Sequence, residues 1–309
     1  MEIGFHIPDF GAHFRLNNIL INMIKDHPEY FHDGLTIKSV FGAFPGSVWN
    51  GGRYLGGTAE MRSINDIIKV FNDKGIPLRF TFTNPVLKKE HLGDSYCNQI
   101  LRAANNGLNE VIVMSPVLEE YIRENYPKFP ITSSTCKQIE DMDGVNAELK
   151  KDYKYVVLDY NWNNKFDMLE KINPEDRDKC EILVNACCIP HCPRRGEHYR
   201  HIGEKHIAAW EYNKTNLTKK PFEAPDFECP YMNRGVYDIT GLETFISPED
   251  IVNKYAPMGF KHFKIEGRTA DDINLLETYV YFMTKPEHRD IARFRMLEKL
   301  TKSIKYFVQ

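Results

Sequence analysis

Between Val184 and Tyr199 the chain reads Val-Asn-Ala-Cys-Cys-Ile-Pro-His-Cys-Pro-Arg-Arg-Gly-Glu-His-Tyr, so thiols, imidazoles and guanidinium groups crowd into one short stretch. Three of the seven cysteines, Cys187, Cys188 and Cys192, lie here, Cys180 precedes them, and Cys229 follows just before a proline. Such a set points first to soft-metal chemistry. Cys188 and Cys192 are spaced to bring both sulfurs to one side of a turn, which Pro190 and Pro193 stiffen. Zinc would be satisfied by Cys188, Cys192, Cys229 and one imidazole, His191 or His198. An iron–sulfur cluster would need thiolates in a dry, electropositive pocket, where Arg194 and Arg195 offset its negative charge. Against this stands a plainer reading in which Cys180 and Cys187 are small buried hydrophobes and His198 caps local structure. It suits those two cysteines better than it suits Cys188 and Cys192 together. A radical S-adenosylmethionine cluster would place a further cysteine where Arg195 stands, so that class is disfavoured.

Composition narrows the classes further. The 309 residues are 42% hydrophobic and 27% charged with a formal net charge of -3, which describes a globular protein without a broad electrostatic surface for nucleic acid. The amino terminus, Met1 to Pro8, has neither a basic nor an apolar signal region, and no run is apolar enough to span a bilayer. The expectation is a cytoplasmic protein with no membrane association. There, an odd number of reduced cysteines speaks for metal binding or catalysis over disulfides.

The elements that must position these groups alternate between short β-rich runs and longer amphipathic segments, the pattern of repeated βα units. Strands are expected at Ile3–Ile7, Leu35–Phe41, Leu78–Thr83, Glu110–Met114, Ile131–Ser134, Tyr155–Asp159, Ile182–Asn185 and His262–Ile265. Apolar spacing predicts helices at Ile64–Asn72, Tyr96–Asn105, Val117–Asn125, Phe166–Ile172, Asp271–Met283 and Glu287–Ile304. Eight such units favour a (β/α)8 TIM-barrel-like single domain over residues 1–286, with an insertion at 200–258 after strand 7 and a C-terminal helix at 287–309 packed on the barrel.

In such barrels the chemistry sits at the carboxyl ends of the strands. Those ends bring Asp9, Asn84, Ser115, Cys136, Asp159, Asn161, Asn185, Glu266 and Arg268 to one face. Asp159 adjoins the cysteine-bearing seventh strand and is the preferred proton acceptor. His6, Asp9 and His13 are read as satisfied polar groups that begin a loop. The glycine-rich loop Gly42–Arg53 offers backbone amides, Arg53 for an anion and Trp49 for stacking, although it lacks the order of a nucleotide-binding loop. Lys264 and Glu266 share a strand face, and Arg268 leaves after a glycine.

Asn185, Cys188, Cys192-Pro193, Arg195, His198-Tyr199, Cys229, the run Phe245 to Asp250 and Phe263-Lys264-Ile265-Glu266-Gly267-Arg268 together resemble the collagenase-like peptidase family U32, from about Tyr96 onward. The resemblance implies a barrel-like catalytic domain. It also implies, from the members that carry a [4Fe-4S] cluster, oxygen-independent hydroxylation of RNA or a quinone precursor, with Cys188, Cys192 and Cys229 at cluster-ligand positions. Those members space four cysteines differently, and many carry a further RNA-handling domain not evident here. The fourth ligand therefore stays open among Cys136, Cys187, a histidine and substrate.

The resulting expectation is an iron–sulfur enzyme, with zinc as the alternative metal, that modifies a small molecule or a nucleic-acid base. Asp159, Asn185, His198 and Arg268 are the expected catalytic residues, and Trp49, Arg53, Arg195 and Glu266 the substrate-binding ones. A partner protein could bring a larger substrate. A collagenase-like peptidase is the second reading, although no HExxH or GxSxG motif occurs. A metal-stabilised binding or accessory protein is the third.

Overall fold

In the computed structural model, residues 2–216, 220–231 and 234–302 are described. Eight parallel strands, β1 Ile3–Pro8, β2 Leu35–Gly42, β3 Leu78–Phe82, β4 Glu110–Val113, β5 Ile131–Ser133, β6 Tyr155–Val157, β7 Cys180–Leu183 and β8 His262–Lys264, follow one another around a closed barrel. Closure is made by β1 against β8, with Gly4 opposite His262 and His6 opposite Lys264. The (β/α)8 expectation holds, and every strand lies close to its expected bounds. The strands are buried along nearly their whole length, as they must be when helices cover one face and the barrel interior fills the other.

The expected helices appear as Met61–Asn72, Ser95–Ala104, Pro116–Asn125, Phe166–Leu169, Asp272–Met283 and Arg289–Lys302. The last expected residues, from 303 onward, lie outside the described ones. Three further long helices, Phe14–Asp26, Met142–Leu149 and Arg195–Thr215, and the short ones Lys89–Leu92, Val236–Ile239 and Pro248–Asp250, were not read from the pattern. Phe14–Asp26 starts without a side-chain cap. Arg195–Thr215 buries only Arg195, Ile202, Gly203 and His206, so it carries no apolar stripe for periodicity to detect. Among the described residues no helix is long and apolar enough to cross a membrane.

The lower half of the barrel interior is ionic. Arg79 on β3 donates to Glu181 on β7 at 2.6 Å and to Thr132 on β5 at 2.9 Å, and its Nε lies 3.3 Å from Glu110 on β4. Lys264 on β8 reaches Glu181 at 3.1 Å. His6 Nδ1 accepts from Arg79 at 2.9 Å, which leaves its Nε2 proton facing His262 Nδ1 at 3.3 Å. Each charge has a partner inside the barrel, the condition under which burial of such groups is tolerated.

Burial holds His262 and His206 down to about 4, well below an ordinary histidine, and the same burial lowers His6. In the unfolded chain these imidazoles take up protons below about 6.5, so between there and pH 4 the unfolded state binds more protons. Stability is therefore complete above pH 6.5 and is lost as the pH falls toward 4. Thermal melts across that window should show a falling melting temperature, and a flat profile would contradict neutral buried imidazoles.

Candidate functional site at the carboxyl face of the barrel

The loop after β2 folds inward over the mouth because its backbone comes close enough to touch β3. A side chain at Gly51 would place its Cβ 2.3 Å from the Thr83 carbonyl oxygen, and one at Gly52, where φ is +71°, would meet Arg268 at 2.9 Å. This close approach lets Arg268, from beyond β8, donate to the Gly51 carbonyl at 2.7 Å, to Asn50 Oδ1 at 3.1 Å and to Thr81 Oγ1 at 2.8 Å. Gly51→Ala should push this backbone off β3, cost about 1–3 kcal/mol and lower the midpoint of chemical denaturation, whereas an unchanged midpoint would show that the approach is slack.

Two ion pairs organise the rest of the mouth. Arg53 pairs with Glu266, whose other oxygen accepts from the Cys187 backbone N–H at 2.9 Å. Arg195, at the start of the helix Arg195–Thr215, grips Asp159 with both terminal nitrogens, one at 3.0 Å, and also reaches Glu140 at 3.2 Å. Its guanidinium lies 4.5 Å over the Tyr160 ring. Tyr199, one turn further along the helix, is half-buried and feels Cys136, Arg195, Tyr160 and Arg53.

The other expected site residues have these partners. Trp49 is buried in the core, edge-on to Phe82 and Tyr121 with its Nε1–H donated to the His91 carbonyl at 2.8 Å, so it has no free face for stacking a ligand. Asp159 accepts from Arg195 and from the Asn161 N–H at 3.0 Å. Asn185 spends its amide on the Glu266 backbone, accepting at 2.6 Å and donating at 3.0 Å, and thereby ties the end of β7 to the end of β8. His198 stacks on Phe227 at 4.4 Å, and burial pulls its imidazole down to about 4.

The thiols divide into two groups. Cys187 turns toward the carbonyls of Asn185 and Arg234, while Cys188 faces Tyr160 and Cys192. Burial, and then the neighbouring Cys192, push the Cys188 thiol up to about 11, with Tyr160 opposing. Cys136 lies across the mouth beside Gly52 and Arg53. Cys229 arrives on the segment 220–231, which is stapled along the helix Arg195–Thr215. Lys205 donates to the Ala224 carbonyl at 3.1 Å, His201 sits 3.2 Å from the Pro225 carbonyl, and Arg194 lies 4.3 Å over Phe227 and donates to the Glu228 carbonyl at 3.1 Å. Arg194 is within electrostatic reach of both Cys192 and Cys229.

The thiols gathered here are of the kind a thiophilic metal takes. Cys188 and Cys192 lie within electrostatic reach of each other, Cys229 within reach of the same Arg194 as Cys192, and a bound cation would relieve the raised Cys188 thiol by taking its proton's place. Among the described residues no three of the His, Cys, Asp and Glu groups already converge as ligands on one point.

One residue passed over in the sequence stands out at the mouth. Asp9, just past β1, is 1% exposed with φ at +52°, and its Oδ2 has no partner among the described residues. Its position at a strand end carried the signal, but an acidic loop residue after proline is common enough to mask it.

Fold and mouth together define a (β/α)8-barrel protein with thiols and paired arginines at its carboxyl face. It is similar to an uncharacterized protease of Methanocaldococcus jannaschii, 27% identical over 184 residues that cover 57% of this chain and 50% of that relative. The match thus spans about half the relative's length. A solved U32 peptidase structure resembles 86% of this chain and 94% of its own at 14% identity, with a TM-score of 0.48. No family model matches the chain.

Proposed function

We propose that this chain is a U32-like enzyme that holds a [4Fe-4S] cluster through Cys188, Cys192 and Cys229 and carries out oxygen-independent modification of a small molecule or a nucleic-acid base. The observation that supports the reading is that Cys188 and Cys192 lie within electrostatic reach of each other at the barrel mouth, with Cys192 and Cys229 both within reach of Arg194. When bound, such a cluster supplies one-electron chemistry next to the substrate. Arg194 and Arg195 lower the cost of its negative charge. Tyr160 lies beside Cys188 and Tyr199 beside Cys136, and Arg268 and the Arg53–Glu266 pair line the space a substrate would enter. The fourth position falls to Cys136, a histidine or substrate more readily than to Cys187, which faces away. Zinc on the same thiols is the alternative metal.

A peptidase is the second reading, favoured by the protease name of the archaeal relative. A cysteine peptidase would need a thiol activated by an imidazole, yet among the described residues no cysteine is hydrogen-bonded to a histidine, and burial keeps Cys188 protonated. Anaerobic purification with iron, sulfide and zinc assays separates these readings. Iron and acid-labile sulfide support the cluster, stoichiometric zinc supports the alternative metal, and metal-free protein that cleaves peptides in the presence of chelator supports a peptidase.

A further inference from the structure

The helix Arg195–Thr215 is fixed across the barrel mouth at two places. Near its start Arg195 holds Asp159, just past β6. Further along, Asn84, just past β3, donates to the Gly203 carbonyl at 3.2 Å, and His206 meets Asn50 at 3.1 Å. A side chain at Gly203 would bring its Cβ within 2.4 Å of Asn84 Oδ1, so the helix lies hard against that strand end. Between the two fixings, the helix and the segments that follow β3, β4 and β5 line an open cavity of about 550 Å³, within the size range of ligand sites.

Pro85, Val86 and Met114 give the cavity an apolar wall, and the helix contributes Tyr199 with the exposed Arg200 and Glu204. Arg200 and Glu204 stand one helical turn apart, a spacing at which opposite charges commonly pair, as Lys69 and Asp73 do in this chain. Yet neither has an ion-pair or hydrogen-bond partner among the described residues. Gln138, beyond β5, adds an amide. Its backbone is held at φ +56°, a conformation that costs free energy for a residue with a side chain, and its Oε1 accepts from Arg195 Nε at 3.1 Å. That bond fixes which way the amide points and leaves Nε2 at the start of the helix, where a Cβ on Gly196 would lie 3.4 Å from it. The Nε2 hydrogens have no acceptor among the described residues. The cavity thus presents an open cation, an open anion and an open amide donor opposite an apolar wall.

We propose that this cavity binds a small zwitterion with an apolar body, an apolar amino acid or short peptide that carries both its ammonium and its carboxylate. Arg200 and Gln138 Nε2 donate to the carboxylate, Glu204 accepts from the ammonium, and Pro85, Val86 and Met114 pack on the apolar body. A ligand with a single charge would be repelled by one of the two helix charges and would leave that one unpaired. No cysteine lines the cavity, so the assignment stands whether or not the thiols hold iron.

Calorimetric titration of anaerobically purified full-length protein tests this, with leucine as the amino-acid zwitterion and leucyl-leucine as the peptide one. Isocaproate and isoamylamine, which keep the leucine body with one charge each, are the controls, and glycine is the zwitterion without an apolar body. At least one of the two leucine zwitterions should saturate and bind about tenfold or more tighter than isocaproate, isoamylamine and glycine, the scale of one hydrogen bond to a charged group. The arm that binds tells whether amino acid or peptide is the source. Arg200→Gln and Glu204→Gln should each weaken that binding by about tenfold or more and melt with the wild type, because both side chains are exposed and unpaired among the described residues. No saturable binding of either leucine zwitterion, a control or glycine that binds as tightly, binding unchanged in either variant, or binding lost together with a lowered melting temperature would overturn the assignment.

Discussion

Glu181→Ala is expected to destabilise the barrel by about 3–5 kcal/mol, the penalty for leaving buried charge uncompensated. Glu181 is buried at the bottom of the barrel between Arg79 at 2.6 Å and Lys264 at 3.1 Å. Its removal leaves Arg79 with only Glu110, at 3.3 Å, as an ionic partner and leaves Lys264 with none among the described residues. That loss is a large share of the roughly 5–15 kcal/mol that holds a domain folded. Exposed pairs such as Lys69–Asp73 would cost at most about 0.5 kcal/mol when broken. Urea denaturation checks the value. The double variant Glu181→Met with Arg79→Met should be less damaging than the sum of the two single changes, because it removes both signs of charge together. A loss below 1 kcal/mol for Glu181→Ala would mean that water reaches the barrel floor.

Cys188→Ala and Cys192→Ala, each alone, should lower iron retention by on the order of tenfold or more, since even indirect supports of metal ligands carry 10–100-fold effects. Cys97→Ala is the matched control. Cys97 is buried on the helix Ser95–Ala104 and hydrogen-bonded to Ser47 at 3.2 Å, away from the mouth, so its loss opens a small cavity and leaves iron content unchanged. Iron and sulfide assays on protein purified without oxygen check both, provided each variant melts cooperatively. Iron kept by Cys188→Ala and Cys192→Ala alike would remove this pair from the ligand set.

The strands were legible because burial on both faces writes a continuous apolar run between Gly, Pro, Asn and Asp punctuation, and eight such runs leave few closed topologies. The helix Arg195–Thr215 was illegible because it packs through a guanidinium, an imidazole and a glycine instead of an apolar stripe. The ionic barrel floor was hidden for a related reason. Arg79, Glu110 and Glu181 sit at the starts of strands, where a charged residue reads as solvent-facing, and only closure of the sheet turns them toward one another. Cys188 and Cys192 were read as a pair from their spacing, and each feels the other's charge. Trp49 could not be placed from sequence, since a tryptophan in a glycine-rich loop looks exposed until the loop folds inward against Phe82. Asp9 was passed over because its unpaired oxygen is a property of three elements together, β1, the helix Asp272–Met283 and the chain beyond β8.

Iron-edge X-ray absorption on the anaerobically purified wild-type protein addresses the thiolate site most directly. Sulfur neighbours around iron, together with an iron–iron distance, are the predicted result and should disappear in Cys192→Ala. Protein that carries no iron when purified without oxygen, or iron surrounded only by oxygen and nitrogen, would contradict a cluster held by Cys188, Cys192 and Cys229.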